Sequence, residues 1–451
     1  MPPSSPRIVV VGAGAAGLAA ARRLAGAGLD VTVLERAARA GGRLAGEVRE
    51  GFTLEPGAQI LSSGDRNLRG LLADAGLADE LLVLRSGGQG QVRAGWVHEL
   101  EGEGLLVLAR RPGVGLPAAL RALRLERLVR RFGRNLDPWA PERAAPHDDR
   151  SLADFARLYF GEALLRAWIG PDTTCDCLGD EEETSRVLFL LRHVARRGQR
   201  DALFRSGAGA AAAALARGLA VRRGAEACEV AADDPGGVLV RFREEEAEGT
   251  MGADAALIAT PAPVAAALAR ASLAPAERDF LAGVAYEPAL TLEVALGDPL
   301  VPRFQRIRVP RSEGWPLASL ALEPGRPGGR VPDGCAVARL VARSDWSRAH
   351  LDAPDDVLEK ELLRCLVRLH PAAAERVRFA RVARWPQALP RFEVGRYRAL
   401  ARFARVQADR AAAGRRLYFA GDYLVAPSVE GAVTAGLRAA DALLADLGRG
   451  A

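Results

Sequence analysis

At 451 residues, the chain is longer than a single hydrophobic core usually serves, so we expect two domains. Hydrophobic residues make up 49% of the chain and charged residues 26%, a globular composition that excludes a disordered or fibrous protein. The net charge is +6, but Lys360 is the only lysine and the acidic residues are scattered among the arginines. No nucleic-acid surface is therefore expected, while an acidic or apolar small-molecule substrate stays open.

Cysteine content and hydropathy indicate the compartment. Five cysteines are too few for a disulfide framework, and Cys175 and Cys177 form a C-x-C pair without partners at zinc spacing. We therefore predict no metal site and a reducing, cytoplasmic setting. No uninterrupted apolar segment reaches the roughly 18–20 residues that a bilayer-spanning helix needs.

The chain opens with a strand–turn–helix–strand unit. Residues 8–11 and 31–34 are β-branched runs typical of buried parallel strands, and the second run ends at Glu35. The turn after the first strand consists of Gly12, Ala13, Gly14, Ala15, Ala16 and Gly17. This spacing is typical of a dinucleotide-binding turn, in which the helix N-terminus receives a pyrophosphate. Glu35 is predicted to accept hydrogen bonds from a ribose, and its charge disfavours NADP.

Residues 36–60 extend this pattern. Arg36 follows the acid, Gly41-Gly42-Arg43 comes soon after, and Gly57-Ala58 precedes Gln59 and Ile60. These residues resemble the flavin-containing amine oxidase superfamily, whose members carry an E-R-x-x-x-x-G-G-R segment and a later G-A pair. The resemblance implies that Gly42 and Arg43 run beside the pyrophosphate of FAD. It also implies that Gly57, Ala58, Gln59 and Ile60 pass close to the isoalloxazine ring.

Residues 78–205 are predicted to build one part of a substrate domain, largely from helices. A predicted helix here has arginines on one side and an apolar side opposite them, which is formed by Leu116, Leu120, Leu123, Leu128 and Phe132. A basic amphipathic helix of this kind suits either peripheral contact with a membrane or a domain surface with a solvated arginine face, and both stay open. Residues 152–168 are predicted to continue helically, and residues 172–180 to form a loop.

The middle of the chain supplies strands to both domains. Residues 225–230 and 238–242 are predicted to pair as a hairpin, and residues 253–260 to form a buried strand. The resemblance places the backbone of Val230 against the adenine. A second substrate-domain part, residues 272–402, is predicted to contain a helix over 355–370 and antiparallel strands over 291–296, 307–309, 317–322 and 336–341.

The C-terminal region completes the resemblance. An apolar strand over 417–420 leads into Gly421-Asp422, and residues 427–436 open an alanine-rich helix. This pattern is similar to the A-G-D and E-G-A-x-x-S/A-G motifs of the same superfamily. Asp422 is suited to hold a ribityl hydroxyl, and the helix start after Ser428 and Val429 is suited to aim N–H groups at the flavin N1/O2 edge.

Together these motifs predict an FAD-binding α/β protein with a Rossmann-like, discontinuous cofactor domain. We expect this domain to comprise residues 1–77, 206–271 and 403–451. Residues 78–205 and 272–402 would then form an inserted substrate-binding domain of mixed sheet and helices. No second glycine fingerprint for a nicotinamide cofactor is found, so oxygen or another acceptor is expected to reoxidise the flavin.

Three reactions fit this scaffold. Residues 384–397 resemble the W-x-x-A-I-P-Q-Y-x-x-G-H stretch of the protoporphyrinogen-oxidase-like branch, although Arg391 and Arg396 replace its glutamine and histidine. That branch implies hydride transfer from a bridging methylene to flavin N5, with oxygen as acceptor. The alternatives are an amine oxidase and an isoprenoid desaturase of the phytoene or squalene type.

The amine oxidase alternative depends on side chains near the flavin. Amine oxidases usually keep a lysine near N5 and an aromatic pair beside the ring, and Lys360 lies in a predicted charged helix. Gln59, Trp385 and Tyr423 are the candidate active-site lining. No catalytic side chain is assigned, because the flavin itself supplies the chemistry.

Overall fold

A computed structural model describes residues 5–57, 61–84, 88–100, 104–233, 236–298, 303–325 and 329–448. The strands are β1 Arg7–Val11, β2 Asp30–Glu35, β3 Glu47–Arg49, β4 Phe52–Leu54, β5 Leu61–Ser62, β6 Leu81–Val83, β7 Gln89–Arg93, β8 Trp96–Glu99, β9 Asp201–Phe204, β10 Ala220–Arg223, β11 Ala225–Asp233, β12 Gly237–Glu244, β13 Ala247–Ala253, β14 Ala255–Ile258, β15 Tyr286–Leu296, β16 Arg306–Arg308, β17 Leu317–Pro324, β18 Ala336–Ala342, β19 Val377–Pro390 and β20 Leu417–Phe419.

Helices cover one face of the cofactor sheet and build most of the segment between β8 and β9. They are α1 Ala15–Gly26, α2 Arg66–Asp74, α3 Leu105–Arg110, α4 Gly115–Arg121, α5 Leu123–Phe132, α6 Leu152–Tyr159, α7 Glu162–Leu164, α8 Gly170–Cys177, α9 Arg186–Arg196, α10 Ala208–Ala216, α11 Ala262–Leu268, α12 Pro275–Ala282, α13 Ser344–His350, α14 Asp355–Leu369, α15 Arg396–Ala412 and α16 Val429–Asp446.

A parallel sheet of five strands carries the N-terminal unit. Its order is β10-β2-β1-β14-β20, so strands from the start, middle and end of the chain lie side by side. The apolar runs of β1 and β14 are buried on both faces, as a central parallel strand requires. This arrangement confirms the predicted α/β class. The domain boundaries themselves stay a prediction, although all five strands fall within the ranges expected for the cofactor domain.

The middle of the chain forms a three-stranded antiparallel sheet of order β11-β12-β13. The predicted hairpin pairs Val230 with Val240, as the alternating pattern indicated. Strand β13 was not predicted. Its exposed polar and glycine positions lack the hydrophobic alternation by which a strand is recognised.

The substrate part is built on a seven-stranded sheet of order β19-β15-β18-β17-β16-β7-β8. The four predicted strands β15 to β18 are present, and successive neighbours among them pair antiparallel. The sheet is mixed, because β16 pairs parallel with β7. Strand β19 was not predicted, since most of its residues are half-buried on both faces and show no period-two pattern.

Two predictions for the helical part are wrong in detail. Residues 170–177, expected to be mostly loop, form helix α8, because burial of Thr173, Cys175 and Cys177 outweighs their low helix propensity. The expected single amphipathic helix is interrupted at Ala122, between α4 and α5. Its leucines therefore do not share one face, and Leu128 is buried whereas Leu116 is exposed.

Candidate functional site

The turn between β1 and α1 holds its three glycines in different surroundings. Gly12 has a φ of +100°, in the region that favours glycine, and its N–H donates to the Leu34 carbonyl at 2.8 Å. A Cβ on Gly17 would lie 1.8 Å from the Gly12 carbonyl oxygen, so only glycine lets α1 pack this closely. A Cβ on Gly14 would meet nothing within 4 Å. Gly14 therefore presents bare backbone to open space.

Helix α1 begins directly behind this open face. Gly14 is its N-cap and provides no side-chain cap, so the first N–H groups, beginning with those of Ala15 and Ala16, point toward the space in front of the turn. Glu35, at the end of β2, is buried, and its carboxylate accepts from the Ala13 N–H at 2.8 Å and the Ala37 N–H at 2.9 Å. Arg36 is exposed.

The G-G-R segment lies against the same turn. The Gly41 N–H donates to the Ala13 carbonyl at 2.8 Å, and a Cβ on Gly42 would lie 3.3 Å from the Gly14 Cα. Both Gly41 and Gly42 have positive φ, of +125° and +53°. The tertiary structure therefore brings the two glycine motifs into contact.

Arg43 joins the N-terminal and C-terminal motifs. Its guanidinium binds Asp422 through two hydrogen bonds of 2.6 and 3.0 Å and donates to the Ala388 carbonyl at 2.7 Å. Burial lowers the pKa of Arg43 but pairing with Asp422 raises it, and the net shift is upward, so the guanidinium stays protonated. Gly57 packs on this arginine, since a Cβ there would lie 1.9 Å from the Arg43 carbonyl oxygen.

Helix α16 begins where the C-terminal motif predicts. Ser428 is its N-cap and accepts from the Gly431 N–H at 3.0 Å, and Val429 is the first helical residue. Glu430 does not line the predicted cofactor edge. Its carboxylate accepts from the N–H groups of Asn67 and Leu68 at the start of α2, and from the Trp139 indole at 2.9 Å.

The comparisons with known proteins identify the family. The family described as "Flavin containing amine oxidoreductase" matches residues 15–444. The chain belongs to this family. FAD is accordingly its cofactor, and the protein is an FAD-dependent oxidoreductase.

Curated relatives point in more than one direction. Protoporphyrinogen oxidase 2 of Arabidopsis thaliana is 40% identical over 77 residues, covering 17% of this chain and 15% of the relative. Protoporphyrinogen oxidase of Nicotiana tabacum is 26% identical over 184 residues, covering 40% and 34%. Putrescine oxidase of Kocuria rosea is 47% identical over 70 residues, covering 16% and 15%. The match thus spans about a third or less of the length of each of these relatives.

Solved structures cover the whole fold. A candidate protoporphyrinogen oxidase from Exiguobacterium sp. 255-15 matches 99% of both chains with a TM-score of 0.76 at 18% identity. Cyclohexylamine oxidase from Brevibacterium oxydans matches 99% of this chain and all of its own, with a TM-score of 0.74 at 20% identity. At these identities the likeness shows the fold alone.

The residues present fit FAD. The bare backbone at Gly14 and the uncapped start of α1 suit a pyrophosphate, and Glu35 stands at the end of the neighbouring strand, as a ribose ligand would. Val230 is buried in β11, which packs against β2. The individual contacts of these residues with the cofactor stay predictions.

The three predicted lining residues have different surroundings. Trp385 is half-buried in β19, and its indole N–H donates to the Pro56 carbonyl at 2.9 Å. We call residues 55–57 the flavin segment, because the family resemblance implies that Gly57 passes close to the isoalloxazine ring. Tyr423 is fully buried in a hydrophobic cluster with Phe419, and its hydroxyl has no hydrogen-bond partner among the described residues. Burial raises the pKa of Tyr423 well above its ordinary value. Gln59, with Ala58 and Ile60, lies outside the described residues.

A buried arginine cluster in the substrate part was not predicted. Asp176 on α8 accepts from Arg192 at 2.7 Å and from Arg306 at 2.6 Å, and lies 3.4 Å from Arg308. These arginines come from a helix and a strand far apart in sequence, so no local motif announces them. We call Arg111, Arg192, Arg306 and Arg308 with Asp172 and Asp176 the arginine cluster.

The arginine cluster carries more positive than negative charge among the described residues. Its four guanidiniums face three carboxylates, including Asp201 at 3.7 Å from Arg306, and the Nε atom of each arginine has no hydrogen-bond partner in the described part of the chain. Burial, followed by repulsion from Arg308, lowers the pKa of Arg111 to about 10. The cluster is thus electrostatically unsaturated and suited to an anionic group.

Helix α8 connects the arginine cluster with an apolar cluster beside Trp385. Its C-cap residue, Leu178, packs in an apolar cluster with Ala289 and Ala388, against which Trp385 also packs. Next to this cluster, a cleft beside Pro427 is lined by charged residues that include Asp180, Glu183, Glu287, Arg391 and Glu393.

Proposed function

We propose that the protein oxidises an acidic small molecule in a protoporphyrinogen-oxidase-like reaction. Bound FAD would accept a hydride at N5, and oxygen would serve as the acceptor that restores the oxidised flavin. The glycine turn, Glu35, Arg43, Asp422 and Ser428 would hold the cofactor.

The observation that carries this proposal is the arginine cluster. A buried cationic site that lacks enough carboxylates is stabilised by an anion and destabilised by a second cation. An ammonium substrate would be repelled there, whereas a carboxylate would occupy the free N–H groups of Arg111 and Arg308. The resemblance of residues 384–397 and the relatives from Arabidopsis and tobacco support the same branch.

The position of Lys360 argues against the amine oxidase alternative. The only lysine of the chain is exposed on α14, where its neighbours are other charged residues of that helix. It therefore does not supply the lysine that amine oxidases usually keep near N5. An isoprenoid desaturase stays the other alternative, favoured by the apolar cluster around Leu178 and Ala289.

This chain's own residues would act by positioning rather than by covalent catalysis. The Arg43–Asp422 pair ties the G-G-R segment to the C-terminal motif and so orients the groups around the cofactor. The arginine cluster would anchor the acidic end of the substrate, and α8 would set the distance between this end and the flavin. Positioning of this kind accounts for a large part of the rate in reactions that need no side-chain nucleophile.

Anaerobic reduction of the purified holoenzyme tests the proposal. We expect protoporphyrinogen to bleach the flavin absorbance, and a polyamine panel and phytoene to leave it unchanged. Admission of air should then restore the yellow colour and release hydrogen peroxide. Bleaching by amines alone would contradict the proposal.

An arginine variant links the reaction to the site. Arg308→Gln should raise KM for the porphyrinogen at least tenfold, because it removes a buried charged partner. Arg166→Gln is the control, since Arg166 is 70% exposed in its ion pair with Glu162. An equal KM for both variants would exclude the arginine cluster from substrate binding.

We also propose that the α3–α5 face contacts an anionic membrane surface. Four leucines on this face are at least 47% exposed: Leu106 at 66%, Leu116 at 50%, Leu120 at 47% and Leu123 at 53%. Exposed arginines such as Arg124 and Arg127 accompany them, which matches anionic headgroups. No helix in the described ranges is long and apolar enough to cross a membrane.

Vesicle co-sedimentation tests this contact. The protein should pellet with phosphatidylglycerol vesicles, and Leu120→Gln with Leu123→Gln should release it. The control is Leu239→Gln, because Leu239 is 48% exposed on β12. Equal release by the control would show that the face has no special role.

A further inference from the structure

We propose that Thr291 and Trp385 are positioning residues that hold the segment Glu55–Gly57 in the conformation required for FAD binding. The inference rests on the proposed placement of the flavin beside Gly57, and it extends that proposal to residues of the substrate sheet. Neither residue belongs to a glycine motif or to the parallel sheet. Each acts through the backbone of Pro56.

The Pro56 carbonyl receives two hydrogen bonds from the substrate sheet. The Thr291 hydroxyl donates to it at 3.0 Å and the Trp385 indole N–H at 2.9 Å. The donors lie on neighbouring antiparallel strands, β15 and β19. A carbonyl oxygen has two lone pairs, so its hydrogen-bonding capacity is filled. This arrangement fixes the orientation of the peptide plane that leads into Gly57.

The Leu54–Glu55 peptide is held from the same face. The Glu55 N–H donates to Glu293 at 2.6 Å, and Glu293 is two residues from Thr291 on β15. Residues two apart on a strand point to the same face, so the peptide groups on either side of the Glu55–Pro56 peptide are bound by one row of side chains. Glu293 is itself held by Arg339 at 3.1 Å.

The other end of the segment touches the cofactor cradle. Gly57 packs against the Arg43 carbonyl so closely that a Cβ would lie 1.9 Å from it. Arg43 in turn binds Asp422 and the Ala388 carbonyl. A rotation of the Pro56 peptide would therefore be transmitted to Gly57 and to the Arg43–Asp422 pair. This is the physical reason for expecting a cofactor effect from Thr291.

Trp385 has a second set of contacts that Thr291 lacks. It packs against the apolar cluster that contains Leu178, Ala289 and Ala388. A ligand that presses on this cluster would touch the same indole that holds Pro56. Trp385 would therefore couple the substrate side of the site to the flavin segment, whereas Thr291, which is 3% exposed, would act on the segment alone.

Reconstitution of the apoprotein with FAD tests the role of Thr291. Thr291→Val removes the hydroxyl at almost constant shape, and we expect FAD affinity to fall about two- to tenfold, the range of one lost hydrogen bond, with a shifted flavin absorption band. Thr291→Ser keeps the hydroxyl and should restore affinity to within about twofold.

The matched control is Thr173→Val. Thr173 is also 3% exposed, and its hydroxyl donates to the Ile169 carbonyl at 3.2 Å within its own helix. Its substitution should lower stability without changing FAD affinity or the absorption band. Wild-type affinity and spectrum in Thr291→Val would overturn the proposal, as would an equal loss in Thr173→Val. Urea midpoints of the apoproteins separate either result from a general loss of folding.

Trp385→Phe tests the coupling. It should weaken FAD binding like Thr291→Val and, in addition, change KM for whichever compound reduces the flavin, while Thr291→Val leaves KM within about twofold of the wild type. An unchanged FAD affinity in Trp385→Phe would overturn the role of its N–H. FAD affinity is measured without substrate, so failure of the porphyrinogen assay would refute the proposed function and leave this test intact.

Discussion

Identical residues in the glycine turn meet different physical demands. Gly12 is needed for its backbone conformation, Gly17 for helix packing, and Gly14 for the open space in front of it. Gly14 has a φ of −77°, which any residue adopts. It is also the one of the three where a Cβ would meet no neighbouring atom within 4 Å. A substitution at Gly14 therefore interferes with the ligand rather than with the fold.

Gly14→Val should purify colourless and fail to take up FAD, because the side chain would occupy the space proposed for the pyrophosphate. The apoprotein should keep its melting temperature. Gly26→Val serves as control, since Gly26 ends the same helix and also has open space around it. A fully yellow Gly14→Val protein would show that the pyrophosphate lies elsewhere.

Asp65 carries a shifted pKa outside the glycine motifs. Burial raises the pKa of its carboxyl, as does the nearby Glu430, and the Ser62 N–H that donates to it at 2.8 Å lowers it. The result is a pKa of about 7. Between its ordinary pKa and this value, the folded protein holds a proton that the unfolded chain has lost, so stability falls as pH rises.

Urea unfolding from pH 4 to pH 8 should show this dependence. Asp65→Asn should remove part of the decrease in the free energy of unfolding as pH rises. For one group this decrease cannot exceed about 1.4 kcal/mol per pH unit. Asp74→Asn, at the exposed end of the same helix, should leave the slope unchanged. Equal slopes in wild type and Asp65→Asn would contradict the assignment.

Helices α1 and α16 illustrate packing at the scale of elements. Gly436 of α16 lies against the first turn of α1, where a Cβ would be 2.2 Å from the Ala16 carbonyl oxygen. The two helices come from opposite ends of the chain and pack side by side beneath the glycine turn. Their separation therefore sets the position of the α1 N-terminus.

Gly436→Ala should lower the free energy of unfolding by about 1–3 kcal/mol through overpacking. Gly70→Ala should raise it by roughly 0.5–1 kcal/mol, because Gly70 lies inside α2 with open space around it and the alanine only restricts the unfolded chain. Chemical denaturation measures both changes. A stabilised Gly436→Ala protein would refute the close helix contact.

Buried ion pairs join the seven-stranded substrate sheet to the residues around β4. Arg339 on β18 bonds Glu323 at 2.6 Å and Glu293 at 3.1 Å, and donates to the Thr53 carbonyl beside the flavin segment. Arg330 pairs with Glu55 and Glu323. This network ties the substrate sheet to residues 53–55, which lead into the segment proposed to lie beside the cofactor.

Arg339→Met should lower the free energy of unfolding by about 3–5 kcal/mol, since it leaves the buried Glu293 carboxylate without its ion-pair partner. The exposed pair of Arg166 is the reference, and Arg166→Met should cost only about 0.3–0.5 kcal/mol. Urea titration at pH 7 measures both. A loss below 1 kcal/mol for Arg339→Met would show that the network is not held as described.

The N-terminal nucleotide unit was predictable because its determinants are contiguous. Strand β1, the glycine turn, helix α1, strand β2 and Glu35 follow one another within about thirty residues, and each is specified by local periodicity and backbone chemistry. The start of α16 was predictable for the same reason, because Ser428 caps its own helix. The family resemblance and the cofactor followed from these local patterns.

Other features were decided only when distant parts of the chain met. Arg43 and Asp422 are 379 residues apart, and Trp385 lies 329 residues from Pro56. Helix α8, the arginine cluster and the capping of α2 by Glu430 likewise depend on burial and on partners that no local pattern names. Local patterns in the sequence by themselves determined the cofactor and the elements that carry the glycine motifs, because short-range sterics and periodicity are written in neighbouring residues. The tertiary structure alone decided which side chains from distant parts of the chain meet at Arg43 and at Pro56, because long-range contacts become visible only once the chain is folded.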